Sequence, residues 1–203
     1  MAYTKQQTLD MIEQISGKQT SVDWYSPEME QFFGAFSDEL RADKDVMLPL
    51  IKQNGYCLAY ASKSLKDDRE VVLAAVQQNV SAFRFASDRL QNDKDMALSL
   101  IQQFGNRGFK AIVGKPRNDK DVILAAVTQD ANLLQHVSKE LRDDKDIVLA
   151  AVTQSGAMVS LASDRLRNDK DVISTAIKSD GFAFRFASDA LKDDRNLVLE
   201  AVR

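Results

Sequence analysis

The heptad "AFRFASD" occupies Ala82–Asp88 and recurs letter for letter at Ala183–Asp189, 101 residues further on. Identity over that distance asks for a period, and a shorter anchor supplies one. Aspartate, a base and an acid follow one another at Asp43-Lys44-Asp45, Asp68-Arg69-Glu70, Asp93-Lys94-Asp95, Asp119-Lys120-Asp121, Asp144-Lys145-Asp146 and Asp169-Lys170-Asp171, with a near copy at Asp194-Arg195-Asn196. The leading aspartates are 25, 25, 26, 25, 25 and 25 residues apart. Four periods and the single-residue insertion account for the distance between the heptads. They are therefore the same site in the second and sixth repeats. A period of this size points to stacked supersecondary units.

Each anchor leads into an apolar run such as Val71–Val76, Val122–Val127 or Ile147–Val152. β-Branched runs suit buried strands, but the flanks favour helix. The residue before each anchor is Asp67, Asn92, Asn118, Asp143, Asn168 or Asp193, all good N-caps, and an acid follows three residues later at capping-box spacing. Gly55, Gly105, Gly156 and Gly181 stand where a left-handed residue would end the helix. These bounds predict about 11–12 residues of helix, roughly 16–18 Å. Apolar nearly all round, it should lie between neighbouring repeats, and truncating Leu124 or Leu149 should cost about 2–5 kcal/mol.

The heptad block comes next. "FRF" alternates like a strand, yet across the array the apolar sites (Ala82, Phe83, Phe85, Ala86, Leu90) keep spacings of 3, 4 and 8. A second, shorter helix fits them better, with Ser62, Ser87, Ser138, Ser163 and Ser188 capping or bonding back. The expected fold is all-α: an α-solenoid of six to seven 25-residue helix-pair repeats over residues 42–203, one continuous array, behind a divergent N-terminal cap over 1–41. Ser26 and Pro27 make an N-cap and N1 pair within that cap. The final "NLVLEAVR" reads as part of a seventh unit, which further chain or another subunit would cover.

The spelling D-[KR]-[DE]-V-V-L-A-A-V-x-Q-x-G, followed by A-S-x-x-L-[KR]-[DN], resembles the tandem repeats of domain-of-unknown-function family 4116 from Ala42 to Arg203. The resemblance implies a helical repeat with no established activity. Such repeats occur in bacteria, host-associated ones included, and in some protists, sometimes within proteins that act on host cells. It carries over no functional residue.

Across 203 residues the net charge is −3, which argues against bulk attraction to nucleic acid or acidic lipid. No apolar run reaches the roughly 18 residues of a membrane span, and the N-terminus has no export-signal core. One cysteine, Cys57, excludes an intrachain disulfide and suits a reducing compartment: the cytoplasm, or a host cytosol for a delivered protein.

No catalytic, cofactor or metal set is spelled. The anchors resemble the opening of a calcium loop but lack its glycine and closing glutamate, so caps explain them better. His136, the one histidine, shares its position with Phe85, Leu161 and Phe186 and is expected to be a partly buried packing residue. Cys57 aligns with Ala82 and Met158 as a small core residue. The chain is expected not to be an enzyme and to need no cofactor.

Two features point to binding. The position between the two aromatics forms a ladder of Ala59, Arg84, Lys110, Gln135, Ser160 and Arg185, with Arg84 flanked by Phe83 and Phe85 and Arg185 by Phe184 and Phe186. Arginine among aromatics is favoured at protein interfaces and can stack on bases. A second basic row, Lys66, Arg117, Arg142, Arg167 and Lys192, reads as local charge balance. The third repeat, "FGNRGFKAIVGKPRNDK", brings in Gly105, Gly108, Gly114 and Pro116, which should re-aim its second helix and gather Arg107, Lys110, Lys115 and Arg117 for an acidic group. The leading expectation is a binding module or scaffold for a protein partner. An RNA- or DNA-binding array, or the accessory part of a longer effector enzyme, are the alternatives.

Overall fold

The long helix of each repeat starts at an anchor aspartate. In the computed structural model, which describes residues 4–17 and 27–202, the side chains of Asp43, Asp68, Asp119, Asp144, Asp169 and Asp194 accept the N–H two residues on, at 2.9–3.0 Å. The cap is thus one residue later than the sequence suggests. The expected caps Asp67, Asn92, Asn168 and Asp193 instead close the short helix before each anchor. Moving the cap also moves the following acid out of the capping-box position. Ser26 lies outside the described residues; Pro27 opens a helix, Pro27–Gly34.

The repeat has three parts. A helix of 10 residues, as in Lys145–Gln154, is followed by a 3-10 helix of 6, as in Gly156–Leu161, and by a helix of 4, as in Asp164–Arg167. The expected second helix is therefore a 3-10 segment joined to one short α-turn. At about 2.0 Å rise per residue, six 3-10 residues span more of the repeat's width than six α residues at 1.5 Å. Serine ends the 3-10 segment by capping the short helix: Ser62, Ser87, Ser163 and Ser188 accept from Leu65, Leu90, Leu166 and Leu191 at 3.2–3.3 Å. No strand occurs among the described residues.

Three of the four glycines serve a purpose other than the one expected. Gly55, Gly156 and Gly181 open 3-10 helices, after extended C-cap residues Asn54, Ser155 and Asp180. A Cβ on them would sit 2.2, 2.3 and 2.8 Å from the carbonyl oxygens of Ala75, Ala176 and Ala201, in the next repeat's long helix. Close approach, rather than left-handed backbone, selects glycine there. Only Gly105, at φ 54°, ends its helix in the left-handed region.

The chain divides into two units, residues 1–93 with 111–113, and residues 94–110 with 114–203. In the first, helices Lys44–Gln53 and Arg69–Gln78 pack together with the 3-10 helices Gly55–Tyr60 and Val80–Phe85. Val46, Met47, Leu50, Ile51, Val71, Val72, Ala75 and Val76 are buried there. Helix Lys5–Gly17 packs against Lys44–Gln53. In the second, helices Lys120–Gln129, Lys145–Gln154 and Lys170–Ser179 stack in turn, as do their 3-10 partners. The core positions are Ile123, Val148 and Ile173, each fully buried, whereas Leu124 and Leu149 are half-buried. The last helix, Arg195–Ala201, buries Leu197 but leaves Val198 37% exposed, where its counterpart Ile173 is at 0%.

Charged clamps join consecutive repeats inside each unit. Lys44 reaches Asp68 at 2.9 Å and Glu70 at 2.7 Å; Lys120 reaches Asp144 at 2.9 Å and Asp146 at 2.6 Å; Lys145 reaches Asp169 and Asp171, both at 2.9 Å. Lys5, the first residue of its helix, holds Asp43 at 2.6 Å and Asp45 at 3.2 Å in the same way. The anchor acids are therefore spent on caps and clamps. Among the described residues, no group of three or more His, Cys, Asp or Glu is placed to hold a metal ion.

Candidate partner-binding face

In four of the six-residue 3-10 helices the fifth residue is exposed, while the third and fourth turn toward the core. Ala82 and Phe83, at the third and fourth positions of Val80–Phe85, are fully buried, while Arg84 is exposed. In the second unit, the neighbouring 3-10 helices Ala131–His136, Gly156–Leu161 and Gly181–Phe186 place Gln135, Ser160 and Arg185 at this same register, all exposed. Phe184 is half-buried at the inward fourth position. Phe83 is corrected from partner-facing to core: at 0% exposure it can meet no partner.

Both exposed arginines are supported by rings. The Arg84 guanidinium lies 4.7 Å from the centroid of Phe85 and 5.5 Å from that of Tyr56, one repeat earlier. Arg185 lies 4.8 Å from the Phe186 centroid. Of the two phenylalanines that flank each arginine in the sequence, the one at the sixth position, Phe85 or Phe186, provides the contact. A six-residue 3-10 register would have identified it. Stacking of this kind limits the rotamers a guanidinium must lose on binding, while its N–H groups stay free for a ligand.

The irregular third repeat carries its four bases on two short elements. Arg117 is half-buried, with its guanidinium 4.7 Å from the Phe109 ring and Nη1 donating to the Phe109 carbonyl at 3.1 Å. Arg107 and Lys110 are exposed on helix Asn106–Ala111, and Lys115 is exposed at the start of the 3-10 helix Lys115–Asn118. Gly108 lets the first of these pack tightly, since a Cβ would sit 2.0 Å from the Leu100 carbonyl oxygen. Gly114, at φ 70°, makes the turn into the second, and Pro116 is buried there.

The second basic row is corrected in part: Arg167 and Lys192 balance local acids, and Lys66 and Arg142 do not. Lys66 donates to the Ala59 carbonyl at 2.7 Å, and Arg142 to those of Gln135 and Val137 at 2.8 and 2.9 Å. These bases cap the carbonyl end of their own 3-10 helix rather than balance the anchors. Burial and then the Arg41 charge hold the Lys66 ammonium below its ordinary range. Gln91 takes the same position in the second repeat, 2.9 Å from the Arg84 and Ala86 carbonyls. Arg167 and Lys192 depart from the pattern: Arg167 pairs with Asp164, and Lys192 with Asp189 at 3.5 Å. They border an open hollow of about 400 Å³ together with Arg185 and Phe186.

His136 is exposed, contrary to the expected packing role, because the sixth 3-10 position is a rim site and an imidazole can keep its nitrogens in water there. Cys57 is 2% exposed, and burial pushes its thiol up to about 12, which leaves it protonated and inert at neutral pH. No helix of the described residues is long and apolar enough to cross a membrane.

A family model, described as "Domain of unknown function (DUF4116)", matches the chain five times: at residues 31–66, 68–109, 119–167, 156–192 and 169–203. The matches leave out 110–118, the stretch where Gly114 and Pro116 replace the usual short helix. No curated protein and no solved structure matches the chain.

Proposed function

The chain belongs to the DUF4116 family, and on that premise we propose that it is a non-catalytic helical-repeat module that presents its 3-10 edge to a protein partner. One observation carries the reading. Arg84 and Arg185 stand exposed on aromatic supports, while anchor lysines such as Lys44 and Lys120 are paired with acids of the next repeat. Guanidinium groups over rings are characteristic energetic centres of protein interfaces. Within the second unit Gln135 and Ser160 share the register of Arg185 and add neutral hydrogen-bonding groups, which suits peptide recognition better than a phosphate backbone.

The test is capture from lysate with and without nuclease, using the wild type and the folded triple variant Arg84→Glu/Lys110→Glu/Arg185→Glu. Discrete proteins that survive nuclease and are lost with the variant support the reading. Recovery abolished by nuclease replaces it with the nucleic-acid alternative.

A further inference from the structure

The two copies of the heptad have identical letters and different surroundings. In the second repeat the neighbouring polar side chains turn inward: Lys66 onto the Ala59 carbonyl at 2.7 Å, and Gln91 onto the Arg84 and Ala86 carbonyls at 2.9 Å. Around the sixth-repeat copy the counterparts turn outward. Arg167 meets Asp164, whose side chain is 91% exposed, and Lys192 meets Asp189, which is wholly exposed. The hollow they border, about 400 Å³, also takes in Arg185 on its Phe186 support. Three cations face two carboxylates.

We propose that the hollow bounded by Arg167, Arg185 and Lys192 binds a phosphate monoester carried on a serine or threonine of the protein partner. Ion pairs with nearly fully exposed carboxylates are weak, so Arg167 and Lys192 can exchange Asp164 and Asp189 for a better acceptor. A single ligand carboxylate would replace like with like. A phosphate monoester carries close to two negative charges at neutral pH and three acceptor oxygens, enough to engage all three bases at once. Arg185 needs little reordering because the Phe186 ring already supports it. The volume lies within the range of small-ligand sites and accommodates the phosphate with the residue that bears it. The inference rests on the partner-binding reading, since Arg185 belongs to both, and adds the chemistry recognised around Arg185.

The experiment is fluorescence anisotropy of the whole chain with a labelled Gly/Ser-rich nonapeptide carrying one central phosphoserine, alongside the same peptide with serine. Inorganic phosphate and an unlabelled copy of the phosphopeptide serve as competitors. The phosphopeptide should bind at least tenfold more tightly than the serine peptide. Arg167→Gln and Lys192→Gln should each weaken it by about tenfold, the scale of one lost charge-assisted bond. Lys139→Gln, a surface change of the same charge elsewhere in the unit, should leave it unchanged. Equal binding of the two peptides, or indifference to both hollow variants, overturns the inference. Competition by inorganic phosphate as strong as that by the unlabelled phosphopeptide overturns the protein-borne source. Capture of partners that depends on Arg84 and Arg185 would still uphold the wider reading, so the two can fail separately.

Discussion

Lys120 Nζ lies 2.9 Å from one carboxylate oxygen of Asp144, and the other oxygen of Asp144 accepts the Asp146 N–H at 3.0 Å to cap the next long helix. One side chain thus starts a helix and fastens it to the repeat before. The arrangement explains why the anchor is spelled with a base between acids: the base of each repeat holds the acids of the next. Replacing Asp144 by alanine removes these bonds, together with the one from the Ile147 N–H at 3.3 Å, and should destabilise by about 1–2 kcal/mol, the range of a lost helix cap. Asp144→Asn keeps a capping oxygen and loses only the charge, so it should cost less. Urea unfolding of the two variants checks the order.

The clamps also give stability a direction in pH. The Lys5, Lys44, Lys94 and Lys170 ammonium groups hold Asp43, Asp68, Asp119 and Asp194 below the usual carboxylate range. At Asp144 and Asp169 burial pushes the other way, and the lysine bond with the helix N–H groups outweighs it. A carboxyl lowered in the folded state binds protons more readily when unfolded, near pH 3.9. Its stabilisation is complete above that value and is lost as pH falls through the lower, folded one. Thermal melts should therefore be flat from about pH 5 to neutrality and fall below about pH 4. A melting temperature that rises on acidification to pH 3 would contradict the clamps.

Periodicity made the array legible, because a spacing of 25 residues depends only on where the anchors stand. Local detail was harder to read where two residues in a row could do one task. Asp67 and Asp68 are both good caps, and only the short helix Lys63–Lys66, which claims Asp67 as its end, decides that Asp68 starts the next helix. The outward aim of Arg167 and Lys192 has a readable sign in Asp164 and Asp189, three residues before them, where Lys66 and Arg142 follow Lys63 and Lys139. Lys66 and Arg142 occupy the same position in the pattern and turn the other way.

Glycine at the opening of the 3-10 helix predicts a steric penalty. Gly156→Ala would set a Cβ 2.3 Å from the Ala176 carbonyl oxygen, a backbone atom that cannot step aside without moving its helix. Overpacking of this kind costs about 1–3 kcal/mol. Gly34→Ala, with nothing within 4 Å of the new Cβ, should be neutral or slightly stabilising. Denaturation midpoints separate the two.

Neighbouring apolar residues in one helix should differ in weight. Ile123 is fully buried, and Ile123→Ala should cost about 2–5 kcal/mol. Leu124 is half-buried, so Leu124→Ala should cost clearly less despite the similar volume removed. Equal losses would mean that this face of the helix is covered by something beyond the chain.

Cys57 gives a probe of opening in the first unit. Its thiol is 2% exposed and pushed up to about 12, so at pH 8 almost none of it is the reactive thiolate. Alkylation by iodoacetamide in native buffer should be slow and should require the 3-10 helix Gly55–Tyr60 to detach from its neighbours. In urea the rate should rise to that of an ordinary exposed cysteine. Lys44→Met, which releases the clamp to Asp68 and Glu70, should raise the native rate by easing that detachment. A rate unchanged by Lys44→Met but raised by Gly55→Ala would place the restraint in backbone packing alone. Fast labelling of the native wild type would show that the thiol is not enclosed.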